Sequence, residues 1–150
     1  MLDTIREAWG WIGLDPAEVV ATNPFGNVIV RATDGACWRI CPEEWSCAQV
    51  ARDADEFAAV SGEEDFRTDW EMTRLVELAR RELGPLRKGQ CYCLKVPALI
   101  GGSYEVTNMG TISLRELIWF AGYMAEQIKD VPDGGEIVIE IVRKRRRPKR

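Results

Sequence analysis

The residues with the chemistry to build a site are few. Arg39 stands behind Trp38 and ahead of Pro42-Glu43-Glu44, so a guanidinium, an indole and two carboxylates cluster at one strand end. That mixture suits a small pocket in which Arg39 and Glu43 hold a ligand or serve an enzyme. It equally suits a structural ion pair with the indole in the core, which is the commoner outcome for such residues. Cys37 and Cys41 share parity on one apparent strand, and Cys91 and Cys93 share a face of another, so four thiols could converge on a metal. Structural zinc sites, however, use closely spaced cysteine knuckles in turns, and free cysteine is among the most buried residue types, so these thiols are read as core and no metal is expected. The chain has no His, which removes Ser-His-Asp and Cys-His catalysis, imidazole ligands and the commonest general base. Neither a Gly-x-Ser-x-Gly elbow, a phosphate loop nor a dinucleotide fingerprint occurs. The expectation is a non-enzyme with no catalytic residue and no cofactor.

Charge points the same way. The net charge is −4, but the stretch from Arg143 to Arg150 holds seven Lys or Arg and no acid; without it, 13 basic residues face 24 acidic ones, a body of −11. A field of that sign repels nucleic acid and anionic membrane and speeds encounter with a basic partner. The terminal run reads as a basic, disordered tail over residues 143–150. An odd count of five cysteines with no export signal implies reduced thiols, hence a cytoplasmic protein. No apolar run approaches the ~20 residues of a membrane span, so no membrane partner is expected.

These groups need a scaffold, and 150 residues suit one domain, since a single core serves roughly 100–200 residues. A first helix is predicted over Leu2 to Trp11, ended by Gly13. Asp15-Pro16-Ala17-Glu18 carries helix-start chemistry, predicting a short helix stopped by Asn23-Pro24. Asn27 to Ala32 and Ala36 to Cys41 predict a hairpin through Thr33-Asp34-Gly35, with a further strand over Ser46 to Ala51 and a short helix near Ala54 to Val60. Ser61-Gly62-Glu63-Glu64 resembles a capping box opening the longest helix, to Gly84-Pro85. Phe66 and Trp70 lie off its Met72, Leu75, Val76, Ala79, Leu83 stripe, so that helix packs on two sides or bends.

Strands are predicted over Gln90 to Val96, Tyr104 to Asn108 and Glu136 to Val142, the last entered through Pro132-Asp133-Gly134-Gly135. Ser113 opens a helix to about Lys129, whose core stripe leaves Trp119 and Tyr123 on the polar side, either covered by another element or exposed as binding anchors. The irregular alternation predicts an α+β fold, a single domain with a mixed or antiparallel sheet packed against several helices.

Trp9-Gly10-Trp11, Asn23-Pro24-Phe25-Gly26-Asn27, Asp34-Gly35, Trp38-Arg39-Ile40-Cys41-Pro42-Glu43, and Phe66 with Asp69-Trp70 stand in an order that resembles a bacterial family linked to type VI secretion. Leu83-Gly84-Pro85-Leu86, Tyr92-Cys93-Leu94-Lys95 and Pro97 to Gly102 extend the likeness over nearly all of residues 1–142. That family includes immunity proteins for DNase effectors, some carrying this domain behind a GAD-like domain, which is not expected in these 150 residues. The resemblance implies an immunity-type α+β domain over 1–142 that binds a cognate toxin in the cytoplasm and blocks a basic, nucleic-acid or nucleotide-handling site. It further implies a monomer or weak homodimer. The acids Glu43, Glu44, Asp53, Asp55, Glu63, Glu64 and Asp65, with Trp119 and Tyr123, are the expected partner-binding residues.

Overall fold

The computed structural model describes residues 1–140. A four-stranded antiparallel meander is formed by β1 (Pro16–Thr22), β2 (Val28–Ala32), β3 (Cys37–Cys41) and β4 (Ser46–Ala51), in that spatial order. A separate antiparallel pair joins β5 (Gln90–Leu94) to β6 (Met109–Ser113). Five α-helices complete the described residues: α1 (Leu2–Trp9), α2 (Ala54–Ser61), α3 (Glu64–Glu71), α4 (Thr73–Leu83) and α5 (Leu114–Ile128). The architecture is α+β, with both sheets antiparallel.

The β2–β3 hairpin forms as its turn chemistry dictates. Gly35 takes φ +92°, and the Ala36 amide donates to the Asp34 carboxylate at 2.9 Å. β1 corrects the short helix expected from Asp15-Pro16-Ala17-Glu18. Asp15 does not cap a helix; its carboxylate accepts from the Thr33 hydroxyl at 3.1 Å and its carbonyl from the Thr33 amide at 2.9 Å, closing the neighbouring hairpin. Pro16 then begins an edge strand, where a missing N–H is tolerated, and β-branched Val19, Val20 and Thr22 favour the extended state.

The expected long helix is divided. Met72 sits at φ +47°, separating α3 from α4, and Asn23 Nδ2 donates to the Trp70 carbonyl at 2.9 Å at the break. Nor does Ser61 form a capping box: it ends α2 and donates to the Ala58 carbonyl at 3.2 Å, while Glu63 makes no capping bond. Another correction concerns Tyr104 to Asn108, which is not a strand. Asn108 instead ties its loop to Val96 and Ser103 through its amide, and pairing begins only at Met109 opposite Leu94. Residues 136–140 carry no strand, and the remainder of that expected strand, with the 143–150 tail, lies outside the described residues.

Two apolar clusters hold these elements. In the first, α1 and α5 cover the four-stranded sheet through Ile5, Trp9, Val28, Val30, Ile40 and Ile118, and the Trp9 indole donates to the Ile118 carbonyl at 3.2 Å. In the second, Val76 and Ala79 of α4 pack on Tyr92, Leu94 and Met109 of the two-stranded sheet, joined by Phe25. The segment Asn23–Asn27 connects them. Its Asn23 carboxamide oxygen accepts from the Phe25 and Asn27 amides, both at 3.0 Å, and the Pro24 carbonyl accepts from Tyr92 N at 2.7 Å. No helix among the described residues is long and apolar enough to cross a membrane.

The α1–α5 contact depends on the absence of a side chain. A Cβ on Gly122 would lie 2.5 Å from the Ala8 carbonyl oxygen, a backbone atom that cannot swing away. Gly122→Ala is therefore expected to destabilise by about 1–3 kcal/mol, read as a lower urea midpoint. Gly10→Ala, with nothing within 4 Å of its Cβ, should leave the midpoint nearly unchanged.

Candidate functional site

Arg39 leaves β3 with its side chain only 15% exposed, so its charge must be met inside the protein. The partner lies thirty residues on: Nη1 of Arg39 pairs with the Asp69 carboxylate on α3, and the guanidinium lies over the Trp70 ring at 5.4 Å from its centroid. Nε and Nη2 donate to the Asn27 carboxamide oxygen at 3.1 and 2.9 Å. Asn27 is fully buried, and its Nδ2 donates to both oxygens of Glu43 at 3.2 and 3.0 Å. The polar chain thus runs Asp69, Arg39, Asn27, Glu43. Arg39 and Glu43 meet through an amide rather than directly.

Glu43 reaches Asn27 because Pro42–Glu44 form one 3-10 turn, closed by Trp45 in the left-handed region at φ +46°. Proline at the first position fixes the turn's entry. Trp45 is buried and packs edge-on against Phe120 of α5, 6.2 Å between centroids, which anchors the turn to the first core.

An open cavity of about 480 Å³ lies along this network, lined by Arg39, Glu43, Glu44, Asp69 and Tyr104, with Val50, Met72 and Leu75 as apolar wall. Burial, then the neighbouring Glu43 and Glu44, push the Tyr104 hydroxyl up to about 12, so it stays a neutral phenol. The pocket and the ion pair, alternatives at the level of sequence, therefore coexist. Trp38 is half-buried against the first core.

Elsewhere the expected partner-binding residues separate into three places. Glu43 and Glu44 border the cavity. Asp53, Asp55, Glu63, Glu64 and Asp65 gather at the starts of α2 and α3, where acids favour the helix dipole. Asp53 has a structural task as well, accepting from the Glu56 amide at 2.8 Å as the cap of α2. Trp119 and Tyr123, 41% and 46% exposed, stack with 5.3 Å between centroids on the outer face of α5, joined by an exposed Phe120. Sequence reasoning missed three members of the cavity network as such: Asn27, Asp69 and Tyr104. Asn27 left one signal, a carboxamide at the head of an apolar strand, whereas the Arg39–Asp69 pairing leaves none in local spacing.

The thiols are not gathered into a site. Cys37 and Cys41 lie on β3, Cys91 and Cys93 on β5 of the other sheet, and among the described residues no group of three His, Cys, Asp or Glu is arranged to hold a metal. All five are free. Burial pushes Cys47 up to about 12, and burial with Cys93 nearby does the same for Cys91; Cys41 is raised further by burial beside Glu43.

Two outcomes follow. Asn27→Ala should cost about 2–3 kcal/mol, the scale of hydrogen bonds to charged groups, seen as a lower urea midpoint. At pH 8 the native thiols at 41, 47 and 91 should stay protonated and react with a thiol reagent far more slowly than the same thiols in urea. Because their folded values lie above the unfolded one, the stability they contribute is complete below about pH 8.5 and declines as pH rises from there toward about 12.

Comparison with known proteins places this architecture. No curated protein matches the chain. A solved structure described as the crystal structure of Atu4351 from Agrobacterium tumefaciens superposes with a TM-score of 0.53 at 19% identity, covering 81% of this chain and 62% of that one. That likeness concerns the fold, and this chain spans less than two thirds of that protein's length. A family model described as the T6SS immunity protein Tdi1, C-terminal, matches residues 51–125, half of the chain, from the end of β4 through most of α5. The chain belongs to the family of the C-terminal domain of the T6SS immunity protein Tdi1.

Proposed function

We propose that the chain is a non-enzymatic immunity protein that binds a cognate type VI secretion toxin in the cytoplasm and blocks it by covering a basic, nucleic-acid or nucleotide-handling active site. Family membership over residues 51–125 carries this reading. The acidic body supports the mode of action, because proteins that handle phosphate present Lys and Arg to it, and a surface of opposite sign is steered toward them.

Glu43, Glu44, Asp55, Glu63, Glu64 and Asp65 are the acids proposed to meet the toxin. Asp53 contributes beside its capping role, and Trp119 and Tyr123 supply aromatic anchors of the kind that concentrate binding energy at interfaces. The same acids make direct binding to nucleic acid unfavourable, and the free form is taken as a monomer or weak homodimer. The alternative, an enzyme or small-ligand domain built on Arg39 and Glu43, has a cavity in its favour but little free chemistry. The Arg39 guanidinium donates to Asn27 and Asp69, and Glu43 accepts twice from Asn27.

The test is co-expression with the toxin encoded beside this gene. The chain should rescue growth and bind the purified toxin with nanomolar affinity; a harmless neighbour, or one that does not bind, overturns the reading. Combined reversal of Asp55 and Glu64 to Lys should slow association and flatten its salt dependence, measured by stopped flow.

A further inference from the structure

We infer that the cavity beside Arg39 is a socket for one arginine side chain of the protein partner, a specific deepening that rests on the immunity reading. The cavity joins three features. Among the described residues, its charged groups are one guanidinium against the carboxylates of Glu43, Glu44 and Asp69, an excess of two negative charges. The one cation that lines it among the described residues is already committed: Arg39 is paired with Asp69, bonded twice to Asn27 and lies over Trp70, so it offers an incoming anion little. Val50, Met72 and Leu75 supply an apolar wall beside the hydroxyl-bearing Ser46 and Thr68, with the ring of Tyr104 half-exposed at 40%.

An arginine matches each part. Its alkyl stem packs on the apolar wall, its planar fork meets a carboxylate through two N–H groups, and its charge is stabilised over a neutral aromatic ring. Tyr104 remains a neutral phenol at ordinary pH, so that ring is available. Glu44 is the carboxylate left without a cation. It is exposed and pairs with no cation among the described residues, its hydrogen-bonding neighbour being the Tyr104 hydroxyl, whereas Glu43 is bound to Asn27 and Asp69 to Arg39. At about 480 Å³ the space suits one long side chain and its hydration better than a folded segment.

The experiment titrates the full chain, ¹⁵N-labelled at low salt, with acetyl-Gly-Arg-Gly-amide and with its citrulline counterpart, which keeps the shape and loses the charge. Saturable shifts confined to residues 39–50, 68–75 and 104 are expected for the arginine peptide, with affinity about tenfold lower for citrulline. Glu44→Gln, on an exposed residue, should weaken the arginine peptide about tenfold, and Tyr104→Ala about threefold, with unchanged melting temperatures. Absence of saturation, equal response to citrulline, or shifts mapping to α5 overturns the inference.

The second arm uses the toxin from the adjacent gene. Glu44→Lys should lose most of its affinity and its growth protection. If the unmodified chain protects and Glu44→Lys protects equally, the socket is overturned while the immunity reading stands. If the unmodified chain gives no protection yet the arginine peptide saturates the cavity, the immunity reading fails and the socket is upheld.

Discussion

A carboxamide with no access to water must find its hydrogen bonds within the protein, and Asn27 is the point where this molecule meets that demand. Its oxygen takes two N–H groups of Arg39 and its nitrogen serves both oxygens of Glu43, so a cation from β3 and an anion from the Pro42–Glu44 turn are held apart and neutralised through one neutral group. Without it, a mostly buried guanidinium would rely on one exposed aspartate. The arrangement also sets where α3 lies, because Asp69 and Trp70 approach the sheet through the same guanidinium.

Around that point the two apolar clusters impose complementary constraints. The first needs the close approach of α1 and α5 at Gly122, and the second needs α4 turned onto Tyr92. The chain breaks at Met72, which takes a left-handed conformation, between Asp69 and Trp70, which meet Arg39 of β3, and Val76 and Ala79, which pack with Tyr92 and Leu94 of β5. Asn23 secures the break by taking the Trp70 carbonyl.

How far the sequence discloses this varies with the range of the interaction. The β2–β3 hairpin and α5 are legible because their signals are local: Asp34-Gly35 in the turn, and Ser113 accepting the Glu116 amide at the helix start. β1 is not, because Asp15 and Pro16 carry helix-start chemistry that tertiary pairing redirects to Thr33 and to an edge strand. Arg39 and Glu43 are recognisable as a candidate site from their spacing alone. Asp69 and Tyr104, thirty and sixty-five positions from Arg39, are brought beside it only by the fold. Exposure of Trp119 and Tyr123 likewise depends on which elements cover α5, something helical periodicity leaves open.

The cavity borrows its walls from both halves of the protein: Arg39 and Val50 from the four-stranded sheet, Met72 and Leu75 from the helical half, Tyr104 from the loop between β5 and β6. Anything that fills it becomes a clasp across the junction. By mass action, such occupancy raises the free energy of opening the junction as well as of global unfolding. Amide exchange at Asn23–Asn27, whose Asn27 side chain bonds Arg39 and Glu43 of the cavity wall, would then slow when the cavity is filled, making the connecting segment a reporter of occupancy.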